Sequence, residues 1–372
     1  MKSERLNSLD ALRGFDMLWI IGGEKVIRTM AKASNNEFLN ILSNQTHHVK
    51  WEGFHFYDLI MPLFLFMVGM SIPYSTSKRL SVGDSYRSIY LHAVKRFFIL
   101  FILGMVCQCN LLTFNVNEMF IIHDTLQAIA IGYIFSIFIY TRLNLKKQLI
   151  LTGGLMLAYW SILTFIPAPG QQAGILEPHS NIAKYVEQMV FGRFDDAPAP
   201  YTWFLGSLGF ISTVMTGIFA STIIRGEKRL SFLKSKDLQI HKTGILLIAG
   251  VSMVVSALIL NTWFPVIKAI WNPTFILLTS GLSFLLIAIF YFVIDVKGYG
   301  RWAFWLKVIG MNSIAVYMAS YLFPFQEIGH IFIFGLEQYT GSFYPVLNSI
   351  VSLSFVYLIM YWMYKKQTFI KI

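Results

Sequence analysis

Three groups of polar residues stand out against an apolar chain. The first joins His48-Val49-Lys50-Trp51-Glu52-Gly53 to Asp58-Leu59-Ile60-Met61-Pro62. Histidine titrates closest to neutral pH and so suits a general base, and a nearby carboxylate can orient it. Ten residues of helix would put His48 and Asp58 roughly 15 Å apart, although Gly53 is expected to break that run. A histidine at the entrance of a span can also be no more than a solvated side chain. Asp58 is harder to explain that way, because the residues after it are almost all apolar.

The second group is His123-Asp124 with Gln127. If helical, these positions share a face and point polar groups into a bundle together. That serves either a substrate site or a network of hydrogen bonds between helices. The third group is Asp10, Arg13 and Asp16, where the spacing of Asp10 and Arg13 allows an ion pair on one helix face. Ionisable groups in apolar spans are costly and mark function or a paired structural role. His92, Asn261, Asp295 and Asn312 are single interruptions, each more simply structural than catalytic. No metal-ligand spacing, phosphate loop, dinucleotide fingerprint or nucleophile elbow occurs. Cys107 and Cys109 are two residues apart, point to different helix faces and read as buried thiols.

These residues must be held by membrane helices. Of 372 residues 56% are hydrophobic and 13% charged, and the mean hydropathy is +0.59. A soluble domain carries about twice that charged share, so lipid must surround most of the chain. Apolar windows fall at 14–31, 54–77, 89–110, 119–140, 148–166, 203–224, 241–263, 272–294, 302–323 and 344–364. Each is close to the roughly 20 residues a helix needs to cross a bilayer. The expectation is an all-α polytopic bundle of about ten transmembrane helices in one domain, residues 1–372. The first run lacks a small-residue cleavage site and is expected to be a retained span. The 167–202 stretch, bounded by Pro167, Pro169, Pro198 and Pro200, is too polar to span and too long for a turn. It is expected to form a structured cap, and 325–343 to lie at the interface.

Charge sets the orientation. With both termini cytoplasmic, 23 of the 30 Lys and Arg residues fall in inside segments, as the positive-inside rule requires. The net charge of +11 is then a topological bias that needs no nucleic-acid partner. His48 and the cap fall outside.

Taken together, these motifs resemble the heparan-α-glucosaminide N-acetyltransferase family of transmembrane acyltransferases. The likeness runs through Leu9-Asp10-Ala11-Leu12-Arg13-Gly14, the His48 and Asp58 motifs, Leu126-Gln127 and Ile166-Pro167-Ala168-Pro169-Gly170. It continues in Val293-Ile294-Asp295-Val296-Lys297-Gly298 and Gly310-Met311-Asn312-Ser313-Ile314. The resemblance implies acetyl transfer from cytoplasmic acetyl-CoA to the amine of a glucosamine-type acceptor outside, with His48 catalytic and Asp58 orienting it or binding the amine. It implies Gln127 and Asn312 near the thioester or pantetheine, Arg13, Lys297 and Arg301 near the phosphates, and Trp51, His123 and Asp124 near the acceptor. It further implies no metal, a bacterial inner-membrane location among lipids, and a homodimer. The pattern departs at Ile20-Ile21-Gly22-Gly23, His123-Asp124, Ala128 and Tyr201-Thr202. These departures leave open a different acceptor, a relocated charge pair or loss of transfer. An amino-sugar transporter is the alternative function, although no inverted repeat supports it.

Overall fold

A computed structural model describes residues 6–34, 36–196, 199–226 and 237–370. The helices are α1 Asn7–Leu18, α2 Glu24–Ser34, α3 Glu37–Gln45, α4 Ile60–Ser81, α5 Tyr86–Gln108, α6 Thr125–Arg142, α7 Leu145–Phe165 and α8 Ile182–Phe191. They continue as α9 Gly206–Arg225, α10 Leu238–Leu260, α11 Pro273–Phe290, α12 Phe304–Gly310, α13 Ser313–Leu322, α14 Phe325–Ile333, α15 Glu337–Thr340 and α16 Tyr344–Lys365. Asn or Asp side chains cap many N-termini: Asn36, Asp124, Asn144, Asn181 and Asn272 each accept a first-turn amide, a donor the helix itself cannot satisfy. The protein is an all-α, multi-pass membrane protein. Among the described residues, eight helices are long and apolar enough to cross a membrane.

Two of the ten expected windows are interrupted helices, and neither is one of those eight. The first runs α1, a π-helical stretch Trp19–Gly23 and α2. It turns at Gly22, whose φ of 133° is open to glycine alone. The ninth breaks between α12 and α13 at Met311 and Asn312. There the Asn312 amide donates to the Thr368 carbonyl at 3.2 Å and its oxygen accepts from Ile370 N at 3.0 Å. The fourth window also needs correction. Residues 119–124 are not helical, and α6 begins at Thr125, so His123 and Asp124 precede the span instead of sharing a face of it. The 325–343 stretch folds into short helices leading into α16.

Helices α4 and α9 form the buried centre, whereas α5, α7 and α10 leave most of their apolar surface facing outward. Lipid tails are as apolar as leucine, so close backbone packing carries the helix contacts. Helices α4 and α9 cross at Gly69 and Gly217: a Cβ on either would collide with the Val214 or Phe66 carbonyl. The 167–202 segment carries α8 and joins a second core. Tyr159, Leu163, Ile182, Ala183, Phe264, Ile267 and Ile270 pack there. Fully buried Lys184 pairs with Asp195 at 2.9 Å, and Glu187 accepts from Phe204 N at 2.8 Å.

Candidate active site

The loop between α3 and α4 doubles back at Gly53, where φ is +109°, and so brings His48 onto Asp58. His48 Nδ1 lies 2.7 Å from Asp58 Oδ1, far closer than a helical path would allow. Asp58 is fully buried. Its second oxygen accepts from His55 N at 3.0 Å and Val49 N at 3.4 Å. Backbone and ring donors thus hold the carboxylate ionised and aimed at the ring. With Nδ1–H donated to Asp58, Nε2 is the unprotonated nitrogen of a neutral imidazole. The His48 side chain is 42% exposed and lies at a cavity.

A third member comes from far along the chain. Gly53 N donates to the Val266 carbonyl at 2.9 Å, and Glu52 pairs with Ile267 as an antiparallel bridge. This pairing sets Lys268 beside the ring. Its Nζ is 3.2 Å from Asp58 Oδ1, 2.9 Å from His48 Nδ1 and 3.4 Å from Nε2. Burial pulls Lys268 below the usual lysine range while Asp58 opposes it. Burial, then the Lys268 charge, pulls His48 below the usual histidine range, against its hydrogen bond to Asp58. The ring is therefore neutral at pH 7. Reading the sequence passes over Lys268 because it falls in a loop between windows. One signal was available: it is the single charge in Trp263–Trp271, an otherwise largely apolar run.

The cavity beyond His48 has a volume of about 290 Å³. Met17, Ile20, Met61, Phe64 and Ile129 form apolar walls, and Gln108, His123, Tyr201, Tyr317, Tyr321 and Lys268 supply polar groups. An apolar pocket with a few converging polar groups is the usual form of a ligand site. His123 reaches it, 3.2 Å from the Asp196 carboxylate. Asp124 does not. It is fully buried as the N-cap of α6, accepting from Leu126 N, Gln108 Nε2 and Tyr317 Oη at 2.6, 2.7 and 2.8 Å. Gln127 is likewise buried: its oxygen accepts from His123 N and Asp124 N, and its amide donates to the Ile121 carbonyl. Trp51 lies outside the cavity lining, donating from Nε1 to the Leu176 carbonyl at 2.7 Å and so tying the His48 loop to the cap. Asn312 is spent on the C-terminal residues, as described above.

A second cavity, of about 680 Å³, opens at the opposite end, where the chain begins. Asn7, Ala11, Gly298, Gly300, Arg301 and Lys307 line it, and Lys307 Nζ donates to Asn7 Oδ1 at 2.6 Å. Of the three predicted basic residues, only Arg301 is there. Lys297 lies over the Phe292 ring, 5.3 Å from its centre. Arg13 is 3.8 Å from Asp10, the expected helix-face pair, and also donates to Ser71 Oγ. Lys307 was missed because it reads as an ordinary inside charge. Among the described residues no cluster of His, Cys, Asp or Glu forms a metal site.

The model of a known family, heparan-alpha-glucosaminide N-acetyltransferase, catalytic, matches residues 5–250. The chain belongs to this family. Its relatives include the heparan-alpha-glucosaminide N-acetyltransferases of Mus musculus and Homo sapiens. Each is 25% identical to it, over 87% of this chain and 56% or 55% of their own length. The chain thus spans about half the length of these curated relatives. The His48–Asp58 motif falls inside the span of the family match, whereas Lys268 and the Arg301–Lys307 cavity lie beyond residue 250.

Proposed function

We propose that this chain is a transmembrane acetyltransferase of the bacterial inner membrane. Acetyl-CoA is its donor at the cytoplasmic end, and a glucosamine-type amine on the other side is its acceptor. The observation that carries this reading is the neutral imidazole of His48, oriented by buried Asp58 at the mouth of a mostly apolar cavity. The basic loops clustered at the N-terminal end support the sidedness. The second cavity suits the phosphates of the donor, since Arg301 and Lys307 line it together with Gly298 and Gly300. Both cavities border the first helix. Ala11 faces one and Met17 the other, about 9 Å apart along its axis. One elongated donor held by its phosphates at one end can therefore present its acyl end toward the other.

Acetyl-CoA supplies an activated acyl group. The remaining work falls to the chain's own residues. His48 Nε2 takes the proton that the acceptor amine must lose, Asp58 steadies the imidazolium this creates, and the apolar walls exclude competing water. The cap, at about 167–202, closes the same end of this single domain.

The test is release of free CoA by detergent-purified protein given acetyl-CoA and glucosamine. H48A is expected to lower that rate by at least about a hundredfold, and unchanged release would remove His48 from the chemistry. R301A with K307A is expected to raise the KM for acetyl-CoA about tenfold, with kcat nearly unchanged. Uptake of labelled N-acetylglucosamine into proteoliposomes without CoA would point to transport instead.

A further inference from the structure

Lys268 is the buried cation that the acetyltransferase reading leaves without a task. It lines the His48 cavity and is 8% exposed. Taking an ammonium out of water is costly unless a partner repays it, and Asp58 at 3.2 Å is that partner. A lysine needed only to neutralise Asp58 could approach it from the scaffold side, as the amides of Val49 and His55 do. Instead its Nζ sits along the edge of the ring, 2.9 Å from Nδ1 and 3.4 Å from Nε2, at the cavity that both residues line.

We propose that the Lys268 ammonium, tethered by Asp58, is a catalytic residue that binds the oxyanion formed on the acyl carbonyl during transfer. The inference rests on the acetyltransferase reading given above. In the step, the lone pair of the acceptor nitrogen forms the new C–N bond and the carbonyl π pair moves onto oxygen. His48 Nε2 takes the nitrogen's proton. Collapse re-forms the C=O bond and breaks the C–S bond, and the departing thiolate receives that proton from His48. The developing negative charge lies on the oxygen of the carbon bonded to the acceptor nitrogen, two bonds beyond the atom Nε2 contacts, on the side of the ring where Nζ lines the same cavity. A fixed positive charge held beside that oxygen stabilises it.

The same charge has a second consequence. It disfavours the imidazolium, so the ring stays neutral and available as a base. The charged or titratable groups acting on His48 are Asp58, Lys268, Arg28 and His47, with the Tyr57 ring 5.0 Å away. Of the cations among them, only Lys268 is within hydrogen-bond distance of the ring.

The experiment combines turnover with a direct titration of His48. K268M is expected to lower kcat for CoA release about a hundredfold or more while leaving CoA binding intact. It should also raise the His48 pKa, read by NMR of histidine-labelled protein, by about one unit. The acid limb of kcat/KM should move to higher pH with it. K268R should recover at least about tenfold of the lost rate by restoring the charge. K268Q, whose amide still donates to Asp58, serves if K268M does not fold, with the same expected rise. Turnover within about threefold of the parent in K268M or K268Q, or an unmoved His48 titration, overturns the proposal. CoA release that is insensitive to H48A overturns the acetyltransferase reading instead, and the two failures are therefore separable.

Discussion

Two histidine–aspartate pairs border one cavity and have opposite fates. His48 and Asp58 are ten residues apart yet bonded at 2.7 Å, because Gly53 folds the loop back. His123 and Asp124 are adjacent in sequence and do not face each other. Asp124 has the extended backbone of a helix cap, which turns its carboxylate down into the protein, onto Leu126 N, Gln108 and Tyr317. His123 turns the other way, toward Asp196. The donors decide the role. Asp58 receives one donor from an imidazole that lines the cavity, so its charge acts on a ring a ligand can reach. Every donor to Asp124 belongs to the scaffold, so its oxygens serve the fold.

The comparison is broken or upheld most sharply by matched amide substitutions. In D58N the His55 and Val49 amides keep the one remaining oxygen, so an NH2 faces Nδ1 and turns the ring to the wrong tautomer. The substitution is expected to lower kcat for CoA release by about 10² to 10⁴. D124N keeps an oxygen for the Leu126 amide and should stay within about fivefold of the parent. Equal losses from the two would mean that both pairs work as one site and that the distinction drawn here is wrong.

The stabilities should separate in the other direction. Burial pushes the Asp124 carboxyl up to about 6, above its value in the unfolded chain. The folded protein therefore holds a proton that the unfolded chain releases between about pH 4 and 6. Asp124's contribution to stability is full below that window and is lost as pH rises through 6, about 3 kcal/mol in all. D124N cannot titrate. Its melting temperature relative to the parent should rise as pH increases from 4 to 6.5 and level off above. Glu187, raised by burial to about 7, adds a similar slope to both proteins and cancels in the difference. A difference independent of pH would show that Asp124 stays ionised throughout.

The sequence makes parts of this architecture legible and leaves others hidden, for identifiable reasons. Spans α4 to α7 are plain because lipid selects composition over some twenty residues at a time. The interruptions at Gly22 and Asn312 are not plain, since Gly22 depends on a left-handed backbone and Asn312 on partners near the far terminus. Asp58 is conspicuous as a charge beside apolar residues, and His48 through its motif. Lys268 owes its place to a strand-like bridge between two loops more than 200 residues apart, which no local pattern records. Gln127 and Asn312 look like site residues because polar groups in spans are rare, yet backbone groups consume both. Polarity in a span marks a demand for partners and does not say whether the partner is a ligand or the chain itself.

The smallest expected effect concerns what His123 does at the cavity. Burial holds its ring below the usual histidine range, with Asp196 opposing, so it is neutral at pH 7 and its contact with Asp196 is worth little as a charge pair. The value of that contact lies in position, since Asp196 belongs to the cap and its backbone carbonyl accepts from Lys184 Nζ at 3.1 Å. Through His123 the cap is fastened to the wall that also holds Tyr201 and Trp203, whose rings lie 6.5 and 6.0 Å from the imidazole. H123Q and D196N each loosen that fastening without touching His48, Asp58 or Lys268. Each is expected to raise the KM for the acceptor amine about threefold to tenfold, with kcat and the KM for acetyl-CoA nearly unchanged. Together they should act no more strongly than either alone, because they break one contact. A large fall in kcat in H123Q would instead place this second histidine in the chemistry, and the contrast between the two pairs would fail on that side.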